Sequence, residues 1–276
     1  MSFFSAFDET TLRSQLSPLS SGALQRLSLL DQTASTNALL LQMPTLERHA
    51  HAVLADHQTA GRGRRGRSWQ SPPGSNIYLS LGWNFDRAPA DLSCLPLAVG
   101  VATVRALEQA CVSGLGLKWP NDIVVGGKKL GGILVESKPF GQNGFSLVLG
   151  VGINVSMSPE SLSVQSIDQP WTTVSKLLSN QPDIGLRDRV AGILLDQLLE
   201  CVSSYAGSGF QAYDEDWQRL DVLVNQLITV NVAGKELHGH CLGIDGHGLL
   251  QVAEYCGSIK QQLHSFNSAE VSVRLG

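Results

Sequence analysis

Cysteine is scarce and scattered in this chain. Five cysteines (Cys94, Cys111, Cys201, Cys241 and Cys256) in 276 residues form no CxxC pair and stand at no metal-ligand spacing with histidine. An odd, widely spaced set argues against a disulfide framework and a zinc site, and fits reduced thiols in a cytoplasm. Long apolar runs are missing too: about 18 uninterrupted apolar residues occur nowhere, and the opening MSFFSAFDETTLRSQL reaches an acid by its eighth position. Neither a membrane span nor a secretion signal is expected. Nor is there an excess of positive charge. Twenty Lys+Arg stand against 24 Asp+Glu, a net charge of -4, which argues against a general nucleic-acid binder. No GxxxxGK[ST] occurs, no GxGxxG follows a strand, and no Ser-His-Asp or Cys-His pattern suggests itself, so a P-loop, a dinucleotide fold and a nucleophilic triad have no support. His238 and His240 share one face of a strand but lack a partner at ligand spacing, and read as surface histidines.

With 43% hydrophobic and 16% charged residues the chain can bury a full core. A short amphipathic helix is expected over residues 8–16, followed by a connector, SPLSSG, and a strand over Leu24–Leu30. STNALLLQM reads as a helix starting at Ser35 or Thr36, AVLAD (52–56) as a strand, and NIYLSLGW (76–83) as another. Residues 92–112 are apolar at helical spacing. LGLKW, IVV, KLGGILVES and SLVLGVGINVS, separated by turn signals, then suggest a mixed or antiparallel sheet, so the expected fold class is α+β with packed helices. Ser156–Pro170 reads as loop, 187–206 as an amphipathic helix, and FQAYDEDW as a second, shorter one. After Asp221 short alternating strands take over at the spacing of a small β-barrel. The expected division is an N-terminal helix and connector (1–30), a main domain (31–220) and a barrel (221–276).

Against the acidic balance stands GRGRRGR, 61–67. Glycines let backbone N–H groups approach an anion, and guanidinium forks match phosphate and carboxylate oxygens. Four like charges in seven positions repel, so residues 59–74 are expected to order fully only around an anionic ligand. A solvated loop or an RNA-contacting RG run are the blander readings, but this run lies between two strands, with Trp69 placed to close over a flat ring. KWPND (118–122) then sets an amide and a carboxylate on a proline turn, with Lys129 beside Gly131 and Gly132 in the next strand. GVGINV (150–155) offers glycines where a ligand could approach a strand, or simply a kinked core strand.

Together, Gln58, GRGRRGR, KWPND, KLGGILVE and GxGxN, in this order, resemble the biotin protein ligases, or biotin–[acetyl-CoA-carboxylase] ligases. The similarity is strongest from Ser35 to Val155. It implies a catalytic domain related to class II aminoacyl-tRNA synthetases, a C-terminal SH3-like barrel, and a two-step reaction. Biotin and ATP give biotinyl-5′-AMP and pyrophosphate; biotin then passes to one lysine of a carboxylase's biotin carboxyl carrier domain. The resemblance places Ser35, Thr36, Asn37 and Gln58 around the biotin head, and Gly61, Arg62, Gly63 and Arg64 against biotin or its adenylate. Arg65 and Arg67 support phosphate binding or loop closure. Lys129 is matched to the biotin carboxylate and bridging phosphate, with Arg64 as a second catalytic cation, and Gly132, Gly150 and Gly152 to close backbone approach. Trp69, Asn121 and Asn154 face the nucleotide, and Asp122 positions Mg²⁺ or the incoming lysine. Gly131 stands where the family commonly has alanine. Only 34 residues precede Ser35, so no DNA-binding role is expected, and a homodimer through an exposed sheet edge stays open. The rivals are a lipoate-protein ligase and a non-catalytic biotin- or RNA-binding module.

Overall fold

A computed structural model describes residues 7–161, 167, 169–178, 185–256, 260–268 and 271–275. Seven strands, β1 (Arg26–Thr33), β2 (His51–Gln58), β3 (Asn76–Phe85), β4 (Leu115–Lys118), β5 (Asp122–Val125), β6 (Lys128–Phe140) and β7 (Gly144–Asn154), form one sheet in the order β1-β2-β3-β7-β6-β5-β4. β1 and β2 run parallel, because a helix lies between them; every other neighbouring pair is antiparallel. Of the mixed or antiparallel sheet that the turn signals predicted, the mixed form is found, through the one parallel pair. Five further strands, β8 (Leu227–Val232), β9 (Lys235–Ile244), β10 (Leu250–Cys256), β11 (Lys260–Phe266) and β12 (Val271–Leu275), form a second, antiparallel sheet in the order β11-β10-β9-β8-β12.

The helices are α1 (Glu9–Ser14), α2 (Pro18–Ala23), α3 (Thr36–Gln42), α4 (Leu95–Gln109), α5 (Val174–Leu177), α6 (Leu186–Ser208) and α7 (Gln211–Leu220). Two expectations are corrected here. SPLSSG is not a connector but the start of α2: Ser17 caps the Ser20 N–H and Pro18 supplies the preset first helical position. That helix delays β1 to Arg26. Residues 162–166 and 168 of the expected 156–170 loop lie outside the described residues, and 159–161 form a 3₁₀ turn.

Period-two alternation gives the large sheet two faces. Ile77, Leu79 and Leu81 of β3 and Leu147, Leu149, Val151 and Ile153 of β7 turn to the main core, against α4 and α6. The intervening residues, Tyr78, Ser80 and Gly82 of β3 and Val148, Gly150 and Gly152 of β7, turn the other way, where Leu40 of α3 packs on Val53 and Val148. α4 sits deepest: eleven of its residues are buried, and Gly100 meets the side chains of Leu117 and Ile133. One sheet face is therefore fully occupied by helices. The other is left to α3, the arginine loop and a cleft.

Candidate functional site

Strand register aligns the floor of that cleft. Tyr78 lies opposite Gly152, Gly152 opposite Gly132, and Gly132 opposite Asp122, so one row across four strands carries a phenol, two glycines and a carboxylate. The next row sets Ser80 beside Gly150 and Gly150 beside Leu134. The cleft encloses about 1060 Å³, and every predicted site residue lines it except Gly61. Gly61 works behind the wall: its carbonyl accepts from Trp69 N at 2.8 Å, and a Cβ there would sit 2.5 Å from the Trp69 carbonyl.

At one end the lining is neutral and polar. Ser35 caps α3 by accepting from Ala38 N, which brings Thr36 and Asn37 onto the sheet. Gln58 Oε1 accepts from Thr36 N at 2.9 Å and Thr36 Oγ1 at 3.2 Å, while Gln58 Nε2 donates to Ser71 Oγ at 3.0 Å. Ser80 Oγ lies 2.7 Å from Thr36 Oγ1 and 2.6 Å from Asn37 Oδ1. Asn37 Nδ2 donates to Leu134 O at 3.3 Å and Glu136 Oε2 at 3.0 Å, and a methyl at Gly150 would strike its amide. These buried groups orient one another, so the end is preorganised for a ligand with both donors and acceptors.

At the other end the lining is cationic. Lys129 Nζ pairs with Asp122 Oδ1 at 2.6 Å and lies 5.2 Å from the centre of the Trp69 ring. Arg64 Nη1 donates to Asn121 Oδ1 at 3.2 Å and Nη2 to the Ser268 carbonyl; burial lowers the guanidinium's pKa and Asp122 opposes this. Lys118 also lines this end, its pKa lowered by burial and by Lys129 and Arg274, against the pull of Asp122. Asn121 Nδ2 is spent on Ile133 O, and Asn154 Nδ2 on the carbonyls of Lys129 and Thr172. Both amides thus brace the turn and strand that carry Asp122 and Lys129.

Trp69 joins the two ends. Its ring lies flat on Gly152, where a Cβ would come within 2.7 Å of it, and its Nε1 is buried with no hydrogen-bond partner. The loop before it is folded: Arg62 bridges to Ser68, Gly63 N donates to Arg67 O at 2.7 Å, and Arg65 takes φ 58°. The repulsion read from the sequence is offset at the loop's start, where Arg62 pairs with Glu136 at 3.0 Å. Lys118, Ser80, Glu136 and Trp171, which lines the cleft beside Lys129, are residues the motif reading missed. Lys118 stood inside KWPND and Glu136 closes KLGGILVE, so both could have been found there; Ser80 becomes visible only through strand register, and Trp171 through its bridge to Lys129.

A cleft with a hydrogen-bonding pocket at one end, clustered cations at the other and a glycine floor between them defines a ligase that brings a small carboxylic acid to a nucleotide. The chain belongs to the biotin/lipoate A/B protein ligase family, whose profile matches residues 29–154. It is 33% identical over 259 residues to the bifunctional ligase/repressor BirA of Escherichia coli, covering 94% of this chain and 76% of that one. It is 35% identical over 251 residues to the biotin–[acetyl-CoA-carboxylase] ligase of Mycobacterium tuberculosis, covering 88% of each. In three dimensions it resembles the Aquifex aeolicus biotin protein ligase solved with biotin and ATP, at a TM-score of 0.73 and 25% identity, over 92% of this chain and all of the other.

Proposed function

We infer that this protein is a biotin protein ligase: it activates biotin with ATP to biotinyl-5′-AMP, releasing pyrophosphate, and transfers biotin to a lysine of a biotin carboxyl carrier protein. The observation that carries the reading is the abutment of the Thr36–Gln58–Ser80 pocket and the Lys129–Asp122–Arg64 cluster across Gly132 and Gly152. Biotin's ureido head offers donors and acceptors to the first; its carboxylate reaches the second. Lipoate has no hydrogen-bonding head, so it gains nothing from the polar groups that line this pocket.

In the first step a biotin carboxylate oxygen attacks the α-phosphorus and pyrophosphate leaves. Both reactants are anions, and Lys129 and Arg64 offset the charge that accumulates between them. The Gly132–Gly152 floor admits the chain of the acid at backbone distance. In the second step the carrier's lysine amine attacks the acyl carbon, AMP leaves, and the amine sheds a proton. That amine is almost wholly protonated near neutrality, so Asp122, on the same register row as the floor, is placed to orient it and ease its deprotonation.

Mg²⁺ fits this site as a companion of ATP. Asp122 is the one carboxylate among the described residues lining the cleft, and no cluster of three or more metal-ligating side chains occurs among the described residues. One carboxylate beside substrate phosphates is the donor set Mg²⁺ uses. Bound there, it would neutralise phosphate charge. We further propose residues 31–220 as the catalytic unit, 221–276 as an SH3-like barrel against its rim, and the cytoplasm as the compartment; among the described residues no helix is long and apolar enough to cross a membrane.

The test is incubation with biotin, MgATP and a carrier domain, read as the carrier's mass gain and pyrophosphate release. Both are expected to require biotin, ATP and Mg²⁺ together and to stop on chelation. Biotin-independent, salt-sensitive RNA binding in place of that activity would discard the reading.

A further inference from the structure

Glu136 stands on the site face of β6, next but one to Leu134 and just behind the cleft wall. Its carboxylate is divided between two elements: Oε1 accepts from Arg62 Nη2 at 3.0 Å, and Oε2 accepts from Asn37 Nδ2 at 3.0 Å. Among the described residues it is the only carboxylate paired with an arginine of the 61–67 loop, since Arg64 is held by an amide oxygen and a carbonyl. The pair is partly open, with the Arg62 side chain 49% exposed and that of Glu136 24%. An ionised carboxylate only accepts, so it forces Nδ2 of Asn37 toward β6 and leaves Oδ1 facing Ser80.

We propose that Glu136 is a positioning residue for capture of the vitamin, joining the first arginine of the loop to the α3 polar network so that both engage the ligand as one unit. It touches neither reactant. Its carboxylate counters the mutual repulsion of the loop's guanidinium groups at the loop's root, and it fixes the Asn37 amide, which in turn sets Ser80 beside Thr36. This proposal rests on the biotin-ligase reading.

The test is a double-mutant cycle with Arg62→Ala and Glu136→Gln, reading biotin affinity by calorimetry without ATP. Failure of the unmodified protein to bind biotin would sink the functional reading itself, a separate outcome. If it binds, Glu136→Gln is expected to weaken biotin about fivefold in the unmodified background and by less than about twofold when Arg62 is already alanine. ATP affinity and the adenylation rate at saturating biotin stay unchanged, because Glu136 acts on capture. Glu136→Ala is expected to be worse than Gln, whose amide oxygen still accepts from Asn37. Unaltered biotin affinity in Glu136→Gln, or an equal loss in both Arg62 backgrounds, overturns the proposal. The Gln variant is nearly isosteric, so the cycle stands even if the Ala variant fails to fold.

Discussion

At the residue scale, the glycine floor and the Lys129–Asp122 pair decide most. A methyl at Gly152 would lie 2.7 Å from the Trp69 ring, so Gly152→Ala must push the indole off the floor and narrow the passage between the two halves of the cleft. Overpacking of this kind costs about 1–3 kcal/mol; adenylate formation is expected to fall at least about tenfold, measured by pyrophosphate release. Asp122→Ala is expected to leave biotin affinity nearly intact and to depress adenylation or transfer, because its contacts lie at the cationic end. Single-turnover transfer from preformed adenylate would tell which step is lost. Lys129→Ala should be more damaging, since it strips a charge from the cationic end of the cleft and leaves Asp122 without its 2.6 Å partner. Wild-type adenylation in that variant would remove Lys129 from the chemistry. The residues of this scale were largely legible beforehand. Lys129, Asp122 and the floor glycines Gly132 and Gly152 sit in short motifs whose chemistry can be read one position at a time, whereas Ser80 is an unremarkable serine until its strand is paired, and Glu136, though it closes KLGGILVE, shows its partners only once β6 is set beside α3 and the loop.

At the element scale, α3 shows how a local signal becomes a site. Ser35 is a capping residue, the cap fixes where the helix starts, and the start places Thr36 and Asn37 over β3 and β6. A second element has a pH signature. The turn before β2 carries His49, which accepts from Asn84 N at 3.1 Å, and β2 begins with His51, which is 1% exposed and bonded to Ser28. Burial holds both imidazoles below their ordinary pKa, with Arg26 adding to this for His51 and Asp86 opposing it for His49. The unfolded rings take up protons near pH 6.5 while the folded rings resist, so their contribution is fully present above about 6.5 and is lost as pH falls through the window below it. The urea midpoint is expected to drop between pH 7.5 and 5.5, and a His49→Asn/His51→Gln variant should flatten that slope. The element signals also misled at one place: SPLSSG has connector composition, yet a serine cap and an N1 proline make it a helix once α6 is there to cover it.

At the scale of the whole molecule, the second sheet is tied to the turn that carries Asn121 and Asp122. Trp119, buried directly before Pro120 and Asn121, donates Nε1 to Gly248 O at 3.1 Å; Ser93 donates to His247 O at 3.0 Å; and Arg64 reaches the Ser268 carbonyl. Trp119→Phe removes the donor and part of a fully buried indole, so a stability loss larger than the about 1 kcal/mol of the hydrogen bond alone is expected. If the second sheet helps set the turn, adenylation should also slow severalfold with biotin affinity unchanged; urea melts and pyrophosphate release measure the two effects. The sequence by itself determined the chemistry on offer and the α+β class, because charge, turn residues and strand or helix period are local properties. Tertiary structure alone decided which strands became neighbours, and with them the two-glycine floor, the neutral and cationic ends facing each other across it, and the carboxylate behind the loop. Register depends on packing between segments far apart in the chain, and no short stretch of sequence contains it.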